Sequence, residues 1–246
     1  MPTRPIESLR FLLLQVRNPE DPMRSHERVS FARCCSVPIG QIATWDLLNH
    51  RVTVDALSDV DVVLLGGSGH YSAAGEGDWL DRALDSLRTV YETGTPTFAS
   101  CWGFQAMARA LGGEVVRLAG QAEVGTYDVF LTDAGRTDPI FGKLPGQFPA
   151  QMGHEDHVVA LPHNAVAMAY SNLAAHQAYC LTDRPVYCTQ FHPELERDDL
   201  IARLTNYPEY AEKVAGLDFN TFEKAIRETP EAASLVRRFL EYYFGT

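Results

Sequence analysis

An α/β fold, with a mostly parallel central sheet flanked by helices and a C-terminal helical extension, is predicted by three observations. The apolar run Asp61 to Leu65 passes directly into Gly66-Gly67-Ser68-Gly69, a strand ending in a glycine turn. Apolar residues then recur at helical spacing at Trp79, Leu80, Ala83, Leu84, Leu87 and Val90, and Gly94 stops that helix before Pro96 and the short strand Thr97 to Ser100. No repeat, low-complexity tract or linker interrupts the 246 residues, so one domain is expected over 1–246, with a core of about 8–194 and an extension of about 195–246.

In chain order, Leu9 to Gln15 reads as a buried first strand, and the polar stretch Asp21 to Cys35, with scattered apolar residues, holds room for a helix. Asp61 to Leu65 is the second strand and Thr97 to Ser100 the next. Trp102 to Leu111 consists of good helix formers, carries Phe104, Met107, Ala108 and Leu111 on one face, and ends at Gly112-Gly113. Glu114 to Leu118, Tyr127 to Thr132, Ala165 to Tyr170, Gln177 to Leu181 and Val186 to Phe191 are short β-like runs set apart by Gly, Pro, Asp and Asn. After Glu194, Leu200 to Leu204, Tyr210 to Val214, Phe222 to Ile226 and Ala232 to Phe244 read as helices.

Composition narrows the function. With 21 Lys+Arg against 32 Asp+Glu, the net charge of -11 would repel a phosphate backbone, so nucleic acid is not an expected partner. The longest apolar runs fall far short of the roughly 20 residues a bilayer crossing needs, and Phe11 to Val16 is too short for a secretory signal. A cytoplasmic location is expected. Five cysteines at irregular spacing (Cys34, Cys35, Cys101, Cys180, Cys188) make neither a disulfide framework nor a CxxC pair, which points to reduced thiols, mostly small core residues.

Cys101 stands apart. In Thr97-Phe-Ala-Ser-Cys101-Trp-Gly-Phe-Gln105, small residues flank a cysteine at a strand-to-helix junction, the cysteine form of a nucleophile elbow. A sharp bend there lifts the side chain off the sheet and sets it at the positive end of the next helix, which favours a thiolate. A buried cysteine closing a strand is the other reading of the same segment. Further on, Cys188-Thr-Gln-Phe-His192-Pro-Glu194 brings a strand into His-Pro-Glu. Alternation puts His192 and Glu194 on one side, where the carboxylate can fix the imidazole tautomer while the other ring nitrogen faces a thiol. A structural histidine followed by a helix start is the plain alternative. Taken with the elbow, the pair supplies the base and the orienting group that covalent catalysis requires.

These segments, with the glycine turn, resemble the class I glutamine amidotransferase domain, most closely its stand-alone members similar to the amidotransferase part of GMP synthase. The resemblance runs from about Asp61 to Glu194. It is carried by Cys101-Trp-Gly103-Phe-Gln105, Gln190-Phe-His192-Pro-Glu194, Glu123-Val-Gly125 and Met152-Gly-His154-Glu-Asp156. It implies Cys101 as nucleophile, His192 as general base and acid, and Glu194 as its partner. It also implies an oxyanion hole from the Gly67-Ser68 loop and the Trp102 amide, and substrate contacts at Gln105 and on the His154-Glu155 loop. No cofactor and no metal is implied, and His154 with His157 is a weak metal signal without a third ligand. Two departures stand out: Ala99 replaces the family's usual glycine, and Gly66-Gly-Ser-Gly69 replaces the commoner Gly-Gly-Pro loop, which leaves the donating amide open by one residue.

Three functions follow from this sequence. The chain is a glutaminase feeding ammonia to a separate synthase, a free-standing γ-glutamyl hydrolase or peptidase, or a binding module that has kept the fold without turnover. The roughly 50 residues after Glu194 are too few for an ATP-dependent acceptor domain.

Overall fold

The computed structural model describes residues 4–118, 120–208 and 223–245. Among these, nine strands form one sheet: β2 (Ile42–Asp46), β1 (Phe11–Gln15), β3 (Val62–Leu65), β4 (Thr97–Ser100), β11 (Val186–Thr189), β10 (Ala178–Leu181), β9 (Ala165–Tyr170), β6 (Glu123–Leu131) and β7 (Gln147–His154), in that spatial order. The first five run parallel and the remaining neighbours pair antiparallel. β5 (Glu114–Arg117) and β8 (Asp156–Ala160) make a separate two-stranded ribbon.

Every residue of β1, β3, β4 and β11 is buried, because helices cover both faces of the parallel half. One face packs Phe11, Leu13, Val62, Leu64 and Phe98 against Phe31 of α1 (Met23–Cys35) and Leu235 and Phe239 of α7 (Pro230–Phe244). The other packs Leu12, Leu14, Val63, Leu65 and Ala99 against Leu80, Leu84 and Leu87 of α3 (Asp78–Thr93) and Phe104 and Met107 of α4 (Trp102–Ala110). Alternation along each strand separates the two cores. The last helix of the extension is therefore built into the main core, with Leu235, Val236, Phe239 and Leu240 fully buried.

The α/β class and the central strand–helix–strand unit follow the sequence expectation. Three strands exceed it. β2 is an edge strand that buries only Ile42 fully, so it carries little apolar period. β7 contains Pro149, tolerated because this strand lies at the other edge, and β8 begins without a turn signal after the single residue Glu155. β6 begins at Glu123 rather than Tyr127, since Gly125 is carried through the ladder opposite Met152. α2 (Val54–Leu57) and α5 (Asp133–Thr137) are single-turn helices, and α6 (Arg197–Asn206) contains the expected Leu200 to Leu204. The expected helix at Tyr210 to Val214 and the start of that at Phe222 lie outside the described residues. No described helix is long and apolar enough to cross a membrane.

Candidate active site

The C-terminal ends of β3, β4 and β11 lie side by side at the middle of the sheet, where an open α/β fold leaves a crevice. β4 delivers Cys101, whose backbone (φ 51°, ψ −104°) is one of two non-glycine positions with positive φ among the described residues. Its N–H donates to the Thr189 carbonyl at 2.8 Å, and its own carbonyl accepts from Gln105 N–H in the first turn of α4. The bend works because Gly103 has no side chain: a Cβ there would lie 2.6 Å from Leu65 Cβ and 3.2 Å from Ala99 Cβ. Ala99 is accommodated in the packed core opposite that glycine, so the departure from the family's usual residue leaves the turn intact.

β11 delivers the second half. His192 Nδ1 is 2.7 Å from Glu194 Oε1, both side chains being buried. Cys101 is near enough for its charge to act on the imidazole, and its Sγ lies 3.8 Å from the Gly153 carbonyl. Burial alone would lower the basicity of His192. The nearby Glu194 and Cys101 charges and the hydrogen bond to Glu194 outweigh it and push the ring up to about 9. Glu194 is likewise resisted by burial but held below the usual carboxylate range by His192 and by Arg203 of α6. Gly67 is close to this pair: a Cβ on it would be 2.9 Å from His192 Cε1.

Cys101 opens on a cleft of about 200 Å³ that Ser68, Trp102, Gln105, His154 and Glu155 help to line. Gly67 lines an adjoining hollow together with Ser68 and His192. Gln105 is fixed by donating to Asp156 O at 3.0 Å and Gln190 Oε1 at 3.1 Å. His154 has both ring nitrogens engaged, Nδ1 at 3.0 Å from Asp156 O and Nε2 at 3.0 Å from Glu123 Oε2. Glu123 also accepts from Ser171 Oγ and Gln177 Nε2; burial pushes it up, but His154 and these donors hold it below the usual carboxylate range. His154 thus forms a rigid wall beneath the cleft. Glu155 pairs with Arg117 at 3.3 Å. Asp156, the last residue of the Met152–Asp156 motif, and His70 and Tyr71, just after the glycine turn, also line the cleft, as does Arg117, which no motif singles out. Among the described residues, no group of three or more His, Cys, Asp or Glu side chains is arranged to hold a metal ion.

The family model "Glutamine amidotransferase class-I" matches residues 35–200. The chain belongs to the class I glutamine amidotransferases. The enzyme class read from the sequence, a glutaminase-type amidohydrolase, stands with it. The amidotransferase is 31% identical over 120 residues to a glutamine-hydrolyzing GMP synthase subunit of Methanococcus aeolicus, spanning 49% of this chain and 62% of that one. It is 32% identical over 153 residues to the corresponding subunit of Sulfurisphaera tokodaii, covering 62% of this chain and 77% of that one. It is also 27% identical over 183 residues to gamma-glutamyl peptidase 4 of Arabidopsis thaliana, covering 72% of each chain. The fold matches the crystal structure of a glutamine amidotransferase from Thermotoga maritima with TM-score 0.75 at 22% identity, over 97% of this amidotransferase and 99% of the other.

The buried His192 links this site to stability. A ring raised from 6.5 to about 9 stabilises the folded amidotransferase fully below pH of about 6.5, and that contribution, about 3 kcal/mol at most, is lost as pH rises through about 9. The melting temperature is expected to fall across that window, and the fall should be smaller in His192→Gln. Equal slopes in the two proteins would contradict the assignment.

Proposed function

We propose that this protein hydrolyses the γ-glutamyl amide of glutamine to glutamate and ammonia through Cys101, His192 and Glu194. The observation that carries the reading is the strained Cys101 at the N-terminus of α4, whose charge acts on an imidazole held at Nδ1 by a buried carboxylate. The Cys101 thiolate attacks the amide carbon, and backbone N–H groups of the Gly67-Ser68 loop and Trp102 receive the developing oxyanion, each donor contributing about 3 kcal/mol. The His192 imidazolium gives its proton to the nitrogen as the C–N bond breaks and ammonia departs. The neutral ring then takes a proton from water, whose oxygen attacks the thioester carbon. Glutamate leaves as the sulfur recovers its electron pair. Gln105, with the His154 and Glu155 wall, shapes the cleft for the glutamyl group.

In this reading the ammonia passes to a separate synthase, as the glutamine-hydrolyzing subunits among its relatives suggest. A second reading, a free-standing γ-glutamyl hydrolase or peptidase, is favoured by the similarity to the Arabidopsis peptidase over nearly three quarters of both chains. Purified protein assayed on glutamine and on γ-glutamyl dipeptides separates the two. Ammonia released from glutamine, with dipeptides inert, is expected; faster release of free amino acid from the dipeptides would establish the second reading.

A further inference from the structure

The extension reaches back into the site. α6 carries Arg203, only 6% exposed, whose Nη1 lies 3.4 Å from His192 Nδ1 and whose Nη2 lies 3.6 Å from Glu194 Oε1 and 4.0 Å from Glu27 Oε1. Glu27, on α1, is fully buried and pairs in turn with Arg17 at 3.2 Å and accepts from Gln15 Nε2 at 2.9 Å. Arg17 pairs with Asp21 at 3.3 Å and donates to Tyr207 Oη at 2.8 Å, and Tyr207 donates to Asp21 at 2.5 Å. A buried chain of alternating sign therefore runs Asp21, Arg17, Glu27, Arg203, Glu194, His192. Leu200 and Leu204, buried against Val124, Leu195 and Ile226, fix α6 so that Arg203 points inward.

The two contacts of Arg203 act in opposite senses. Beside Glu194 it favours the carboxylate. Beside His192 it cannot donate a hydrogen bond, since Nδ1 spends its own proton on Glu194 Oε1 at 2.7 Å; it is a like charge facing the imidazolium. The chemistry needs that opposition. In the thioester the sulfur no longer bears a negative charge, and the same ring has to be neutral to accept a proton from water. Glu194 alone would hold the ring's proton too firmly.

We propose that Arg203 is a positioning residue of the active site, set between Glu27 and Glu194 so that it keeps Glu194 ionised while limiting how tightly His192 retains its proton. The inference rests on His192 acting as base in the hydrolysis above. The charged and titratable groups facing the ring or reaching it through this chain are Cys101 from the β4–α4 turn, Glu194, Arg203 from α6, Glu27 from α1, and Arg17, Asp21 and Tyr207 behind them, with Arg33 and Cys34 of α1 beside Glu194.

The test needs no turnover. Histidine-¹⁵N-labelled Cys101→Ser protein places an uncharged group where the thioester sulfur would be, and His192 is assigned by its absence from the His192→Gln spectrum. Arg203→Gln is expected to make His192 bind its proton about tenfold more tightly, and Glu27→Gln to weaken binding, while Arg203→Lys stays near the parent. These opposite shifts are not expected from a merely structural role. In the otherwise native enzyme, the acid limb of kcat on glutamine should move to higher pH in Arg203→Gln. An unchanged His192 titration in Arg203→Gln, or in Glu27→Gln if the first variant fails to fold, overturns the inference. Absence of ammonia release by the wild type would instead overturn the hydrolytic reading, leaving the titration to decide the role of Arg203.

Discussion

Cys101→Ser is expected to lower glutamate release from glutamine by at least about a thousandfold, because a hydroxyl is a far weaker nucleophile than the sulfur it replaces. The same residue carries a stability prediction of unusual sign. At an ordinary position glycine is about 0.5–1 kcal/mol worse than alanine. Cys101 holds φ 51° and ψ −104°, a conformation costing a residue with a Cβ about 1–3 kcal/mol. Cys101→Gly should therefore melt higher than Cys101→Ala, although both lose the sulfur and both are inactive. Urea unfolding of the pair reads the strain directly. Alanine proving the more stable of the two would show a relaxed turn, and equal turnover by wild type and Cys101→Ser would remove the nucleophile.

The parts of this molecule that can be read from sequence are those where one local rule decides the outcome. An apolar run ending in glycines fixes β3 and its turn, and helical spacing closed by Gly94 fixes α3. The small residues around Cys101 fix the elbow, and two-residue alternation places His192 and Glu194 together. The edge strands β2 and β7 are silent in sequence because half-buried pairing leaves little pattern, and Pro149 and Gly153 count against a strand that tertiary pairing nevertheless forms. Arg203 reads only as one position in a helical stretch. Its role depends on α1, α6 and β11 converging, and nothing in Leu200 to Leu204 records that Glu27 lies across from it. His154 shows the same limit from the other side. Its motif marks a place near substrate, whereas its partner Glu123, and the Ser171 and Gln177 that hold Glu123 in turn, come from three other segments.

Glu194→Gln is expected to lower kcat/KM on glutamine by about a thousandfold to ten-thousandfold, the scale found when a triad carboxylate becomes an amide. The amide is nearly the same size, so the loss is one of charge and orientation. A glutamine oxygen can still accept from Nδ1, but rotated by half a turn it presents its NH₂ and forces the other tautomer, which turns the donating nitrogen away from the carboxyl side and toward the thiol. The charge loss acts further. With Glu194 neutral, Arg203 remains 3.4 Å from His192 Nδ1 with only Glu27 to oppose it, and the imidazolium is disfavoured. The cation beside Cys101 is then lost, and alkylation of Cys101 by iodoacetamide at neutral pH should slow along with turnover. Glu194→Asp keeps the charge at a shorter reach and should fall between the two. The double variant Glu194→Gln/Arg203→Gln decides whether the buried charges work as a unit. Removing one member of a buried pair leaves the other uncompensated, whereas removing both does not, so the double variant should recover part of the alkylation rate lost by Glu194→Gln alone. Independent, additive losses would mean that the carboxylate acts on the imidazole without help from α6.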